Sequence, residues 1–295
     1  MLGPRRDYSI ELTTTGRSSH QMSSKKSNPF YGVLFVCLVA IHVESAGKLD
    51  SWTHIEVTNK GGGGFALDMG DVDGDGFADI VAGPYFYKNP GKDMTGTWKQ
   101  VALPGKSSAF LLLQFPGEKS LHAFGGGCGN QKLFSPEVSN ALNWNAVTIA
   151  SSKSCNHGAL SQGVTQGLLL GNDKVPEVLV SERSSSKGSI VLYKAPNDFK
   201  GQWSLHTIGN ESNGEGLAIG DFDGDGDMDV AGGARTKGQI VWWENDGSTS
   251  KVWSKHMIGS TLPPDNNGKE GLYAERFAAG DIDGDGRDDV IVSEE

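Results

Sequence analysis

Four aspartates stand at positions 71, 73, 75 and 79 of the stretch DVDGDGFAD, and the arrangement returns as DFDGDGDMD at 221–229 and DIDGDGRDD at 281–289. Carboxylates this close repel one another unless a cation sits between them. Oxygens at places 1, 3, 5 and 9 of such a loop can converge on one calcium ion. Glycines at the fourth and sixth places suit a chain that turns sharply around an ion with φ > 0. An EF-hand needs a bidentate glutamate at loop position 12 and a helix beyond, whereas here that position holds Ala82, Gly232 or Val292 inside a β-type run.

The elements that must carry these loops are marked by tryptophan. WTHIEV (52–57), WKQVAL (98–103), WNAVTI (144–149), WSLHTI (203–208) and WSKHMI (253–258) each place an apolar residue five positions after the Trp, at intervals of 46, 46, 59 and 50 residues. Between tryptophans the parts keep one order: a short apolar run, a turn, a second apolar run, and a third rich in aromatics. In the first unit these are FALDM, the acidic loop, DIVAGP and YFYKN; in the fourth they are LAI, the loop, DVAGG and IVWWEN. Four short antiparallel strands repeated in this way predict an all-β fold, a β-propeller of four-stranded blades with about five repeats present.

Two units keep the frame without the aspartates. LLLQFPGEKSLHAF (111–124) has no acidic cluster, and LLLGNDKVPEVLV (168–180) retains only Asn172, Asp173 and Glu177, so calcium is expected at neither. The last unit stops after its second run. The WTHIEV strand is expected to be the outer strand of a final blade, and the chain reads either as part of a larger ring, such as a seven-bladed one, or as five blades with an imperfect seam; the former is preferred.

Composition agrees with this plan. The chain has 295 residues, 37% of them hydrophobic, with 42 glycines and 11 prolines, which suits many tight turns between short strands. The formal net charge of −10 offers no basic stripe for phosphates and argues against nucleic-acid binding. Twelve of the 36 acidic residues are the repeated loop aspartates, so the acidity belongs first to the loops.

Residues 1–46 look like a leader. Lys25 and Lys26 precede the uncharged run YGVLFVCLVAIHV (31–43), too short for a membrane span, followed by the small residues of ESAG; this is the pattern of a cleaved signal peptide, with translation starting at Met1 or Met22. Removal leaves a propeller of residues 47–295, and two cysteines, Cys128 and Cys155, an even pair expected to form a disulfide in a secreted chain. Asn210 heads an N-E-S sequon, a glycosylation candidate.

The DxDGDGxxD loops, the glycine before each (Gly70, Gly220, Gly280) and the apolar run after each resemble the FG-GAP and VCBS repeat families, strongly in three repeats and loosely in two. The resemblance implies a calcium-binding propeller like that of integrin α-chains, with the loop joining a blade's innermost strand to the next. It implies three structural Ca2+ sites: Asp71, Asp73, Asp75 and Asp79; Asp221, Asp223, Asp225 and Asp229; Asp281, Asp283, Asp285 and Asp289. Backbone carbonyls of Phe77, Asp227 and Arg287 would complete the shells.

Strand order then places the inter-blade loops on the opposite face. His157, Glu215, Tyr273, Glu275 and Arg276 fall there and are the ligand-face candidates. The five frame tryptophans, with His206 and His256 at matching places in two outer strands, are expected to pack rather than to bind. One of Trp242 and Trp243 is expected to be exposed. The functional expectation is a secreted, extracellular binding module for carbohydrate or protein. The alternative is an enzyme of the polysaccharide lyase or sugar dehydratase kind on the same ring.

Overall fold

The computed structural model describes residues 54–58, 67–106, 108–127, 130–137, 140–151, 163–171, 174–182, 188–210, 216–234, 239–260 and 274–294. Cys128, Cys155, His157, Glu215, Tyr273, Trp52, the leader and the side chain of Glu275 lie outside the described residues.

The first sheet holds β1 (Leu67–Gly70), β2 (Asp79–Ala82), β3 (Tyr85–Lys88) and β4 (Lys99–Ala102). The second holds β5 (Ser108–Leu113), β6 (His122–Gly127), β7 (Asn130–Glu137) and β8 (Asn140–Ala150). The third holds β9 (Val164–Gly167), β10 (Glu177–Glu182), β11 (Ser189–Lys194) and β12 (Ser204–Asn210). The fourth holds β13 (Leu217–Gly220), β14 (Asp229–Ala234), β15 (Gln239–Glu244) and β16 (Ser254–Ser260), and the fifth only β17 (Ala274–Gly280) and β18 (Asp289–Glu294). Within each sheet spatial order follows chain order and all neighbours are antiparallel. These are propeller blades, four of them four-stranded, and no α-helix occurs among the described residues.

In the first four blades the second and third strands are buried on both faces where they are apolar at consecutive positions, as in β2, β10 and β11, not at alternate ones. The two-residue period then sends neighbours into different cores. Val178 and Val180 of β10 join Phe124, Leu133 and Ile149 on the side of the second blade, while Leu179 joins Val230, Val241 and Trp243 on the side of the fourth. The hydrophobic core is thus a series of layers between blades.

The residue five places after each tryptophan has a defined task in these layers. Leu103, Ile149 and Ile208 leave the outer strand of one blade and enter the core of the next, packing with Leu112, Val180 and Val230 respectively. Trp203 and Trp253 donate their backbone N–H to the carbonyls of Ile149 (2.7 Å) and Ile208 (2.8 Å) across the same seams. Val57 packs in the equivalent way on Ile80, Tyr87 and Trp98 of the first blade. Ile258, the fifth such residue, is 46% exposed.

The expected outer strand at 52–57 is not formed over residues 54–58, which carry no strand pairing. A strand needs a hydrogen-bonded neighbour, and β18 is the last strand described in the fifth sheet. Trp98, Trp144, Trp203 and Trp253 are buried as expected. Three of them donate indole N–H to loop carbonyls, of Met94, Phe199 and Ser248; the indole nitrogen of Trp144 has no hydrogen-bond partner. Trp243 is buried, and Trp242 lies half-exposed, stacked on His256 at 4.4 Å. His206 bonds the carbonyl of Thr249 in the next blade, and His256 bonds Glu244 at 2.7 Å, so both histidines pack as expected.

Candidate metal centres

Each acidic loop is a hairpin turn between a blade's first and second strands, and its first aspartate organises it. Asp71 accepts N–H bonds from Gly74 (2.8 Å), Asp75 (3.0 Å) and Gly76 (2.8 Å). Asp221 does the same for Gly224 and Gly226, and Asp281 for Gly284, Asp285 and Gly286. The wrap requires the left-handed region at places four and six, where Gly74 and Gly76 have φ of 75° and 88°, and Gly224 and Gly226 of 81° and 95°.

The aspartate at place nine is the first residue of the second strand and does something different. Asp79 and Asp229 are buried. One oxygen of each accepts from the loop's second residue, Val72 at 3.2 Å or Phe222 at 3.1 Å. The other accepts from the residue after the third strand, Asn89 or Asn245, at 2.8 Å. Both carboxylates therefore staple the loop to the turn beside it. Burial pushes their pKa values up to about 6, against the backbone bonds that favour ionisation. Asp289 accepts from Ile282 at 3.0 Å.

The same place carries a polar residue in the blades that lack the loop. Glu177 accepts from Leu169 N–H (2.9 Å) and pairs with Lys194 at 2.9 Å. His122 bonds Ser135 Oγ through Nδ1 at 2.8 Å, stands 3.5 Å from Glu118, and is held below its usual pKa by burial. Asn89 and Asn245 were not singled out from the sequence. Their signal is Asn-x-Gly directly after the aromatic third run, KNPG and ENDG. Each asparagine accepts from the glycine two places on and donates to the carbonyl of Ala78 or Met228; Asn245 also donates to Leu169 of the preceding blade at 2.8 Å.

Oxygens of Asp71, Asp73 and Asp79 lie within 4.8 Å of one another, as do those of Asp221, Asp223 and Asp225, and of Asp281, Asp283 and Asp285. Asp75, Asp229 and Asp289 stand outside these groups. The donor sets are carboxylate oxygen throughout, the chemistry a hard cation such as calcium prefers and a soft-ligand metal does not. In the loops at 221–229 and 281–289 the residues present fit the ion, and the loop at 71–79 has the same carboxylates with a lysine among them.

The loops differ in their own cations. Lys88, at the end of β3, lies 2.7 Å from one oxygen of Asp73 and 2.8 Å from the other, bonds Asp75 and stands 3.7 Å from Asp79. Burial disfavours its charge, but the bonds from Asp73 and Asp75 outweigh it and hold the ammonium above its ordinary pKa. The lysine in turn holds Asp75 below the usual carboxylate range. Arg287 does the same for Asp285 from an exposed position, at 2.9 Å.

Of the ligand-face candidates, Arg276 is exposed on β17 and Glu275 is placed in the same strand. Asn210 ends β12 with an exposed side chain.

Fold and loops together define a β-propeller built on aspartate-crowded hairpins. The FG-GAP-like repeat model matches residues 170–232 and the FG-GAP repeat model matches residues 213–253, so the chain carries FG-GAP repeats over 170–253. Among curated proteins none matched the chain.

Proposed function

We propose that the chain is a secreted, calcium-stabilised propeller that acts as an extracellular binding module for carbohydrate or protein. The observation that carries the reading is the threefold recurrence of one hairpin, each with three carboxylates whose oxygens lie within 4.8 Å. FG-GAP matches over 170–253 support it, since such repeats are generally calcium-binding. The leader pattern of residues 25–46 supports secretion, and among the described residues no helix is long and apolar enough to cross a membrane.

Calcium in this reading is structural: it neutralises carboxylates and fixes hairpins on one face, leaving the inter-blade loops of the other face to meet a ligand. Extracellular calcium sites have Kd near 10⁻⁴ to 10⁻³ M, and at tenfold excess over Kd each ion stabilises the fold by ~1.4 kcal/mol. Calorimetric melting in calcium and in chelator tests the metal. An unchanged melt, with the ion shown to be gone, would overturn it. A glycan array probed with and without calcium, beside an assay for lyase products, tests the ligand class; lyase products without glycan binding would move the reading to an enzyme.

A further inference from the structure

The third strand of a blade ends beside the first residue of its second strand, and what stands there differs from blade to blade. In the third blade it is Lys194, bonded to Glu177 at 2.9 Å and to the carbonyl of Leu170 at 3.3 Å, in a loop that has lost the aspartate cluster. There a lysine does the neutralising. In the fourth blade the same place holds Glu244, whose carboxylate turns to His256 and supplies no cation to the loop of Asp221. The first blade combines both features: a full acidic loop and, at the end of β3, Lys88.

Lys88 is placed as an ion would be. Its ammonium donates to Asp73 and Asp75 and stands 3.7 Å from Asp79, and its side chain is only 18% exposed. Asp71 is already committed to the N–H groups of Gly74, Asp75 and Gly76. Calcium seeks six to eight oxygens, so entering this loop requires expelling the ammonium and desolvating the same carboxylates again. Arg287 offers no such obstacle in the third acidic loop: its side chain is 59% exposed and it meets Asp285 from outside, a contact that solvent screens.

We propose that Lys88 is the resident cation of the loop at 71–79 and excludes calcium from it, so that the three acidic hairpins are not equivalent. This rests on the calcium reading for the loops at 221–229 and 281–289. The lysine is a specificity-determining residue: it lets the first blade keep its hairpin whatever the calcium concentration, as Lys194 does for the third.

The test counts calcium ions bound per full-length chain by equilibrium dialysis, with calcium chloride as the only added metal, for wild type, Lys88→Met and Asp73→Asn/Asp75→Asn. Lys88→Met is expected to bind one ion more than wild type, with affinity at that loop about tenfold or more tighter. The double aspartate variant is expected to bind the same number as wild type, and it keeps the test open if the methionine variant does not fold. No added ion in Lys88→Met, or one ion lost in the double variant, overturns the lysine's role. Calcium bound by none of the three chains overturns the calcium reading itself, a result distinct from calcium bound in numbers the lysine does not affect.

Discussion

Asp221 and Asp288 hold each other across the seam between the fourth and fifth blades: the N–H of Asp221 donates to the Asp288 carboxylate at 2.9 Å, and the N–H of Asp288 donates to the Asp221 carbonyl at 2.8 Å. The first residue of one acidic loop is thereby tied to the last turn of the next. Gly220 and Gly224 pack against the same neighbour, since a Cβ on them would meet Asp288 at 2.8 Å and Arg287 at 3.1 Å. Whatever orders one loop orders the other. Asp288→Ala removes the acceptor and is expected to destabilise the fold by about 1–3 kcal/mol, and to lower calcium affinity at Asp221 without removing a proposed ligand. Urea denaturation and calcium titration of the variant check both.

Asn245 joins three segments through one amide, to Leu169, Met228 and Gly247. Asn245→Ala leaves buried carbonyls without donors. A loss of about 1–3 kcal/mol is expected, read as a lower denaturation midpoint. A midpoint equal to wild type would show that the staple is idle.

The layered core is open to cavity tests. Ile208 is buried in the core between the third and fourth blades, and Ile208→Ala is expected to cost about 2–5 kcal/mol. Ile258→Ala, at the corresponding but exposed position, is expected to stay within about 0.5 kcal/mol. Similar losses for the two would contradict the assignment of Ile208 to an inter-blade seam.

The pH dependence without metal has a definite sign. Burial raises Asp229 from 3.8 to about 6, so the folded state holds the proton more tightly than the unfolded chain. Its contribution to stability is fully present below pH 3.8 and is lost as the pH rises through 6. In chelator, wild type is therefore expected to lose stability relative to Asp229→Asn between pH 5 and pH 7, followed by urea midpoints at each pH. An equal difference between the two proteins at both pH values would remove the carboxyl as the cause.

The regular parts of this molecule are local, and local physics is written into the chain. The alternation of apolar runs with DxDGDG turns demanded short antiparallel strands, and glycine at places four and six followed from a backbone that must pass through positive φ, as Gly74 and Gly76 do. The tryptophan frame likewise announced the outer strands. Asn89 and Asn245 were less visible, because an asparagine after an aromatic run looks like ordinary turn chemistry until its contact with a buried aspartate is seen.

Residue types and their spacing were enough for the repeating blade, the acidic hairpins and the expectation of a divalent ion, because each depends on neighbours within about a dozen positions. Which aspartate meets a cation and which staples a turn was decided in space: Asp79 and Asp229 were buried by the packing of whole blades, Asp288 reached Asp221 from 67 positions away, and Lys88 swung into a loop whose first residue lies 17 positions before it. The Asp221–Asp288 pairing depends on the distance between blades and the Lys88 contact on the packing of β3 beside the hairpin, and sequence order encodes neither.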